Sequence, residues 1–410
     1  MRYVIIGNSI AAVGCIEGIR SVDKMGEIVV VSKEPHPVYS RPLISYLLCG
    51  KTDREKMKYR ADDFYQKNGV KVLYGKSAEK IEEKDHTVVL DDGEKIAYDK
   101  LLLATGSSPF VPPMEGLDTV KDAYTFMSLD DALSLEAALD PSKRVLIVGA
   151  GLIGLKCAEG IYGRVKSITV VDLADRILPS ILDAEGSQMV QEHLEKKGIT
   201  FHLSDSVAKF TDGTAQLKSG GTVPYDIVVI AVGVRANTSL SDGTEIKTAR
   251  GFVTDLDCKT TAEDIYAAGD CAESYDVVTG QERVLALLPN AYMQGECAGI
   301  NMAGGSKKYD FAISMNAIGF FGLHMVTAGS YDGETYVKKT ADGYKKLVTK
   351  DNRLVGYILI GKVDRAGIYT AMIRKKTPLD TLDFDKIKDH PQLMAFSNSK
   401  RKELLGGVPV

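Results

Sequence analysis

VLIVGAGLIGLKCAEGIYGRVKSITVVD, Val145–Asp172, is the stretch that decides the fold. An apolar run, Val145–Val148, meets Gly149, Gly151 and Gly154 and then a helical pattern. A second apolar run, Ile168–Val171, ends on Asp172. Strand, glycine turn, helix, strand and terminal acid, in that order, form a dinucleotide-binding fingerprint in its proper context. Gly149 permits the tight turn, Gly151 lets backbone approach a pyrophosphate, and Gly154 lets helix pack on strand. Free N–H groups at the helix start face the phosphates. A phosphate-free βαβ unit would account for the strands and helix but not for the terminal acid. Lys156 is the odd residue, two positions after the last glycine.

Working outward, a second unit of the same kind lies at the N-terminus. YVIIG, residues 3–7, is a buried-type strand, helical character runs to Arg20, and Ile28–Val31 is the next strand. Its glycine pattern is degraded: Gly7, then Ser9 where a second glycine is usual, then Ala12 where the third would be. Ser9 narrows the approach to a pyrophosphate, yet its hydroxyl can donate to one. Glu34 is placed to hold a ribose hydroxyl pair. The segment Pro35–Leu43 follows, and a helix is predicted to start near Pro42. Residues 62–103 read as helix, short strand and hairpin, with the turn at Asp91-Asp92-Gly93. Leu101–Leu103 runs into Ala104-Thr105-Gly106, and Leu129–Ala138 is helical.

Beyond Asp172 the pattern predicts a helix over Ala184–Lys197 and a hairpin at Gly220-Gly221. Ile227–Ile230 leads into Ala231-Val232-Gly233. Ile265–Ala268 leads into Gly269-Asp270, ahead of a helix over Pro289–Met302. After Gly304-Gly305 the character changes: Tyr344–Thr349 and Leu354–Ile360 alternate as strands, and Asp364–Lys375 reads as a helix. The fold class is α/β: two Rossmann-like dinucleotide-binding domains and a C-terminal α/β domain. The expected boundaries are 1–112 with 246–305 for the first domain, 113–245 for the second and 306–410 for the third.

Bulk properties agree with a multidomain globular chain. It has 410 residues, 44% hydrophobic and 26% charged, and no apolar run approaches the roughly 20 residues of a membrane span. A strand starts at once, with no basic leader before it, so the expected location is cytoplasmic. The six cysteines and six histidines show no metal-ligand spacing. A net charge of −4 argues against nonspecific nucleic-acid binding. That charge is uneven: residues from Ser306 onward hold 18 Lys and Arg against 11 Asp and Glu, a balance of +7, which leaves −11 on residues 1–305. A basic terminal domain could steer an acidic partner, or could be no more than a solvated surface.

Two dinucleotide units, the Ala104-Thr105-Gly106 stretch and the late Gly269-Asp270 stretch form an ordered constellation over about residues 1–305. It resembles the FAD-dependent pyridine nucleotide-disulfide oxidoreductase superfamily, in its rubredoxin and ferredoxin reductase-like branch. NAD-linked nitrite reductase flavin domains look similar too. The resemblance implies that Gly7, Ser9, Ala12 and Glu34 hold the ADP part of FAD, and that Arg41 and Pro42 sit beside the isoalloxazine ring. It implies that Thr105 and Gly106 return the chain past the FAD, that Gly269 and Asp270 meet its ribityl and phosphate side, and that the helix after Pro289 points at the flavin pyrimidine. Gly149, Gly151, Gly154 and Asp172, with Gly233, would hold NAD(H). Asp172 favours NADH, since a carboxylate accepts from a free 2′-hydroxyl and repels a 2′-phosphate; its alternative is a packing or surface acid.

Departures from the family pattern carry weight. Disulfide-using members place a redox cysteine where this chain has Ser40-Arg41-Pro42. Cys49 reads as a buried small hydrophobe and Cys271 as packing, so disulfide reduction is not expected. Many relatives carry glutamate at the position of Lys156, near the nicotinamide, paired with a lysine at the position of Tyr46. Lys156 and Tyr46 are therefore the catalytic candidates: a cation there would favour anionic reduced flavin, whereas a lysine that snorkels to solvent would have no role.

The implied activity is that of a flavoprotein oxidoreductase passing electrons between NAD(H) and an electron-carrier protein such as rubredoxin, ferredoxin or an iron–sulfur subunit. An NADH oxidase or peroxide-type flavoenzyme and an electron-relay subunit of a larger complex are the alternatives. A homodimer and a redox-complex subunit both stay open.

Overall fold

Arg2–Ile6 and Arg144–Val148, the apolar runs before the two glycine turns, are the central strands of two five-stranded parallel sheets in a computed structural model that describes residues 1–396. The first sheet runs Ile265–Ala267, Lys100–Leu103, Arg2–Ile6, Glu27–Ser32, Val70–Tyr74. The second runs Ile199–His202, Ser167–Val171, Arg144–Val148, Ile227–Ile230, Ala123–Tyr124. Burial explains the composition. Val4, Ile5, Leu146 and Ile147 are wholly buried, as the β-branched and aliphatic runs of parallel strands covered on both faces require. In each sheet the strand order reverses beside the central strand, so a crevice opens at its carboxyl end, where open α/β sheets bind ligands.

The described helices are α1 (Ile10–Val22), α2 (Ile44–Leu48), α3 (Phe64–Lys67), α4 (Leu129–Ala138), α5 (Leu152–Ile161), α6 (Ala184–Glu195), α7 (Leu288–Met302), α8 (Ala366–Arg374) and α9 (Phe384–Asp389). The predicted helix near Pro42 starts as a 3-10 turn, Arg41–Leu43, and continues as α2. The chain divides into two units. One holds Met1–Pro179, Leu194–Tyr275 and Glu282–Ala312, and so both parallel sheets; the other holds Ser180–His193, Asp276–Gln281 and the chain from Ile313.

Small residues bring α1 and α7 together in the first unit. A Cβ on Gly295 would lie 2.0 Å from the Ala11 carbonyl oxygen, and one on Gly299 2.2 Å from that of Cys15. From the other side, a Cβ on Gly14 would meet Tyr292 O at 2.2 Å, and one on Gly18 would meet Glu296 O at 2.4 Å. Partners advance along both helices in the same sense, so α1 and α7 are parallel. Their N-termini therefore emerge at one end, and the positive ends of two helix dipoles point the same way.

The second unit carries an antiparallel sheet in the order Met315–Phe320, Leu323–Gly329, Arg353–Ile360, Gly343–Lys350, Glu334–Thr340. The two strands predicted for it, around residues 344–349 and 354–360, are adjacent strands. Three strands between 315 and 340 are additional. Leu347, Tyr357, Leu359 and Tyr369 form its core with Ile387. Asp183, from the earlier segment, accepts from the Tyr344 hydroxyl at 2.6 Å and the Lys346 ammonium at 2.9 Å.

Acids from two earlier segments enter the charge count of this unit. The described part of this unit holds 13 Lys and Arg, and against them stand nine Asp and Glu after Ile313, three in 180–193 and one in 276–281. The described part of the unit carries no net formal charge. Of the +7 counted from Ser306, +4 is balanced by these acids, +1 belongs to Lys307, Lys308 and Asp310 of the other unit, and +2 lies beyond residue 396. Lys400, Arg401, Lys402 and Glu403, part of the expected 306–410 domain, lie outside the described residues.

Candidate functional site

Each glycine of the opening stretch answers a separate steric demand. Gly149 has φ +119°, and a Cβ there would lie 2.3 Å from Ala231 O. Gly154 presses on the same turn, its Cβ position 2.0 Å from Gly149 O. Around Gly151 nothing lies within 4 Å, which leaves open space for an approaching phosphate. The N-terminal unit repeats this turn. Gly7 has φ +109°, and a Cβ there would lie 2.0 Å from Ala104 O. Gly7 N donates to Val31 O as Gly149 N donates to Val171 O, both at 2.8 Å. Ser9 stands at the position that Gly151 holds in the other turn and is half-buried, and Ala12 is fully buried.

Three helix starts face this region undefended. Ser9, Gly151 and Leu287, the N-caps of α1, α5 and α7, make no side-chain cap, and none of these helices has an acid in its first turn. Pro289 sits in the first turn of α7. By contrast α4 has a full capping box of Ser128 and Asp131. Uncapped starts leave N–H donors and a positive dipole end for an anion. The glycine cradles and these donors fit two dinucleotides.

Asp172 is tied to the turn it follows. Its Oδ2 accepts from Ala150 N at 2.6 Å and its Oδ1 from Ala174 N at 2.7 Å. An ionised carboxylate has about four acceptor positions, so a ribose diol can still be received. Glu34, the corresponding acid of the first unit, accepts from Tyr39 OH at 2.6 Å and pairs with Arg41. Tyr39 is buried, and its hydroxyl also receives Leu129 N at 2.8 Å. Arg41 thus lies against Glu34 and over the Tyr39 ring, and Pro42 beside it is exposed.

Gly269, at φ +88°, is packed against Ala11 and Ala291 at the starts of α1 and α7. Its N–H is held by the buried Gln294 side chain at 2.9 Å. Asp270 therefore stands beside two helix starts. Burial pushes its carboxyl up, while the Ser107 hydroxyl, at 3.1 Å, and the Arg41 guanidinium pull it partly back. Thr105 and Gly106 belong to a crossover: Thr105 Oγ1 donates to Asn237 O at 2.7 Å, Asn237 Nδ2 returns a bond to Thr105 O at 2.9 Å, and Asn237 N donates to Gly106 O at 2.9 Å. Ser107–Pro109 pairs antiparallel with Val234–Ala236. Gly233, φ +115°, is exposed at the end of that ribbon with open space around it. Tyr39, Ser107, Asn237 and Gln294 were not singled out from sequence.

The two catalytic candidates meet. The Lys156 ammonium lies 4.6 Å from the Tyr46 ring centroid and is ion-paired with Glu159, one turn further along α5. The Lys156 side chain is 15% exposed and that of Glu159 8%. Lys156 does not snorkel to solvent, and it is not a lone cation either. The six cysteines are free thiols. Cys49, expected to be buried, is half-buried at the C-cap of α2, where its thiol faces Tyr46 O. Cys271 is buried against Leu103 O and Ala268 O. Among the described residues no group of three or more His, Cys, Asp and Glu could hold a metal ion, and no helix is long and apolar enough to cross a membrane.

Comparison with known proteins agrees with this arrangement. Residues 1–295 match the family described as pyridine nucleotide-disulphide oxidoreductase. The chain is 32% identical over 394 residues to the NADH-dependent phenylglyoxylate dehydrogenase subunit epsilon of Aromatoleum evansii, covering 93% of each. It is 31% identical to the nitrite reductase [NAD(P)H] of Bacillus subtilis, covering 92% of this chain but 48% of that longer protein. The same fold recurs in the covalent putidaredoxin reductase–putidaredoxin complex, with a TM-score of 0.87 at 21% identity over 99% of this chain and 98% of that one. FAD and NAD(H) are its cofactors, and the chain is an NAD(H)-dependent flavin oxidoreductase that belongs to the pyridine nucleotide-disulphide oxidoreductase family.

Proposed function

We propose that this chain passes electrons between NAD(H) and a protein redox partner (rubredoxin, ferredoxin or an iron–sulfur subunit) through bound FAD, without a redox disulfide. Bound together, the two cofactors supply hydride transfer between nicotinamide and flavin and onward release of electrons. The protein's part is alignment and electrostatics. In this reading residues 1–112 and 246–305 carry FAD, and 113–245 carry NAD(H). Gly7, Ser9 and Ala12 seat a pyrophosphate at the α1 start. Glu34, held by Tyr39 and Arg41, offers its remaining acceptor positions to the adenosine ribose. Asp270 accepts from ribityl hydroxyls beside α7, whose positive end stabilises negative charge on the ring system. Gly149, Gly151 and Gly154 seat the second pyrophosphate, with Asp172 on its ribose and Gly233 leaving room near the nicotinamide.

One observation carries this reading: two glycine cradles of the same construction, each opening at the carboxyl end of a parallel sheet, in one unit of the chain. The absence of a cysteine from Ser40-Arg41-Pro42, and the burial of five of the six thiols, favour a separate acceptor over an internal thiol. A complex subunit is the second reading, supported by the name of the Aromatoleum relative. Charge balance among the described residues of the C-terminal unit favours recognition by shape and local contacts over long-range steering. A cytoplasmic location belongs to the same proposal. Mixing the NADH-reduced protein anaerobically with rubredoxins and ferredoxins tests it: reduction of one of these carriers supports the reading, and none reduced, with rapid oxygen consumption instead, favours the oxidase alternative.

A further inference from the structure

Helix α5 meets α2 along one face. A Cβ on Gly160 would lie 2.9 Å from Ser45 O, so the two helices touch backbone to backbone there. One turn before it, Lys156 lies over Tyr46. One turn after it, Arg164 donates to Leu48 O at 2.6 Å, closing the carboxyl end of α2, and to Glu136 at 2.8 Å. Lys156 and Gly160 are spaced four apart on α5 and so share a face, and Arg164 follows in the turn just beyond the helix end. This face joins the segment that follows Arg41-Pro42 to the helix that starts at the Gly151 cradle.

Glu159 is the unexplained member. It is 7% exposed, and an ionised carboxylate is costly to bury without a partner. Its ion pair is Lys156, three residues earlier on the same helix. Lys51 brings a further charge to Tyr46, its ammonium 5.7 Å from the ring, and the Arg164–Glu136 pair lies at the carboxyl end of α2. Lys156 and Glu159 together bring no net charge to the contact. Had Lys156 stood alone, its buried charge would act undiluted on any redox group nearby, since the interior screens poorly.

We propose that Glu159 is a positioning residue for the flavin chemistry: it holds the Lys156 ammonium against Tyr46 and cancels its charge, so that the reduction potential of the flavin is set by a neutral pair. The proposal rests on the reading of this contact as part of a flavin–nicotinamide site. Removing the carboxylate unmasks a cation and favours the anionic reduced flavin. Removing the ammonium unmasks an anion and favours the oxidised form. A unit charge within about 10 Å, at an effective dielectric of about 20, changes the ratio of reduced to oxidised flavin roughly tenfold.

The test is the flavin reduction potential of the FAD-loaded protein, measured by anaerobic equilibration with a redox dye and a chemical reductant, with thermal melting as the control for folding. Glu159→Gln is expected to raise the reduced-to-oxidised ratio about tenfold at fixed poise, Lys156→Met to lower it, and Glu159→Asp to stay near wild type. The double change Lys156→Met with Glu159→Gln is expected to return the ratio to within about threefold of wild type. Should Glu159→Gln not fold, Lys156→Met and the double variant still decide the matter. Ratios within twofold of wild type in both single variants overturn the proposal. Because NADH is not the reductant, failure of NADH to reduce the wild-type flavin would remove the proposed function and leave this result readable.

Discussion

Replacing Asp172 by alanine should weaken NADH binding about thirtyfold and leave FAD in place. In the structure the carboxylate spends one acceptor position of each oxygen on Ala150 N and Ala174 N, and the remaining two are free for a ribose diol. Hydrogen bonds to a charged group contribute about 1.5–3 kcal/mol each. Asp172 is half-buried, so water recovers part of what a lost carboxylate gave. A net loss of about 2 kcal/mol for the diol is then roughly thirtyfold, at about 1.4 kcal/mol per decade. Asparagine keeps one acceptor and should fall between wild type and alanine. The assay is stopped-flow reduction of the bound flavin against NADH concentration, with NADPH in parallel. Discrimination against NADPH should narrow in the alanine variant, because the carboxylate no longer repels a 2′-phosphate. An NADH dissociation constant unchanged by Asp172→Ala would refute the placement of the ribose.

Three further outcomes follow from other parts of the first unit. Gly295→Ala places a methyl 2.0 Å from Ala11 O, so α1 and α7 must part; a loss of about 1–3 kcal/mol is expected, read by urea denaturation, with weaker FAD retention. Tyr39→Phe removes both the donor to Glu34 and the acceptor of the buried Leu129 N; a melting point lower by the equivalent of about 1–3 kcal/mol, with faster FAD loss, is expected. Asp226 is held down to about 2 by the Arg144 guanidinium and backbone N–H. Its folded pKa lies below the unfolded value of about 3.9, so its stabilisation is present above about pH 4 and disappears as pH falls through about 2. Wild type and Arg144→Gln should therefore differ in stability near neutral pH and converge in acid, as chemical denaturation across that range can measure.

Sequence and structure agree where a steric demand selects one residue type. Gly7, Gly149 and Gly154 sit where a Cβ would strike a carbonyl oxygen, and the apolar runs beside them are central strands. Legibility ends where a contact joins segments far apart in the chain. Asn237 ties Thr105 and Gly106 across more than a hundred residues, through three-residue strands too short to show a period. Gln294 sits within a helix whose pattern reports its apolar face and not the Gly269 N–H it receives. Glu159 reads as an ordinary helix carboxylate, and its burial is visible only in the fold. Asp183, Glu185, Glu192 and Asp276 fold with the C-terminal unit and balance four of the basic charges that follow Ser306, which no local count along the chain could anticipate.

The central claim, that one unit of this chain carries two dinucleotides in electronic contact, is tested most directly by anaerobic titration of the purified FAD-loaded protein with NADH. The account predicts that the visible flavin band bleaches rapidly and completely at one NADH per FAD. A flavin that remains oxidised in excess NADH, while a chemical reductant bleaches it, would contradict the account.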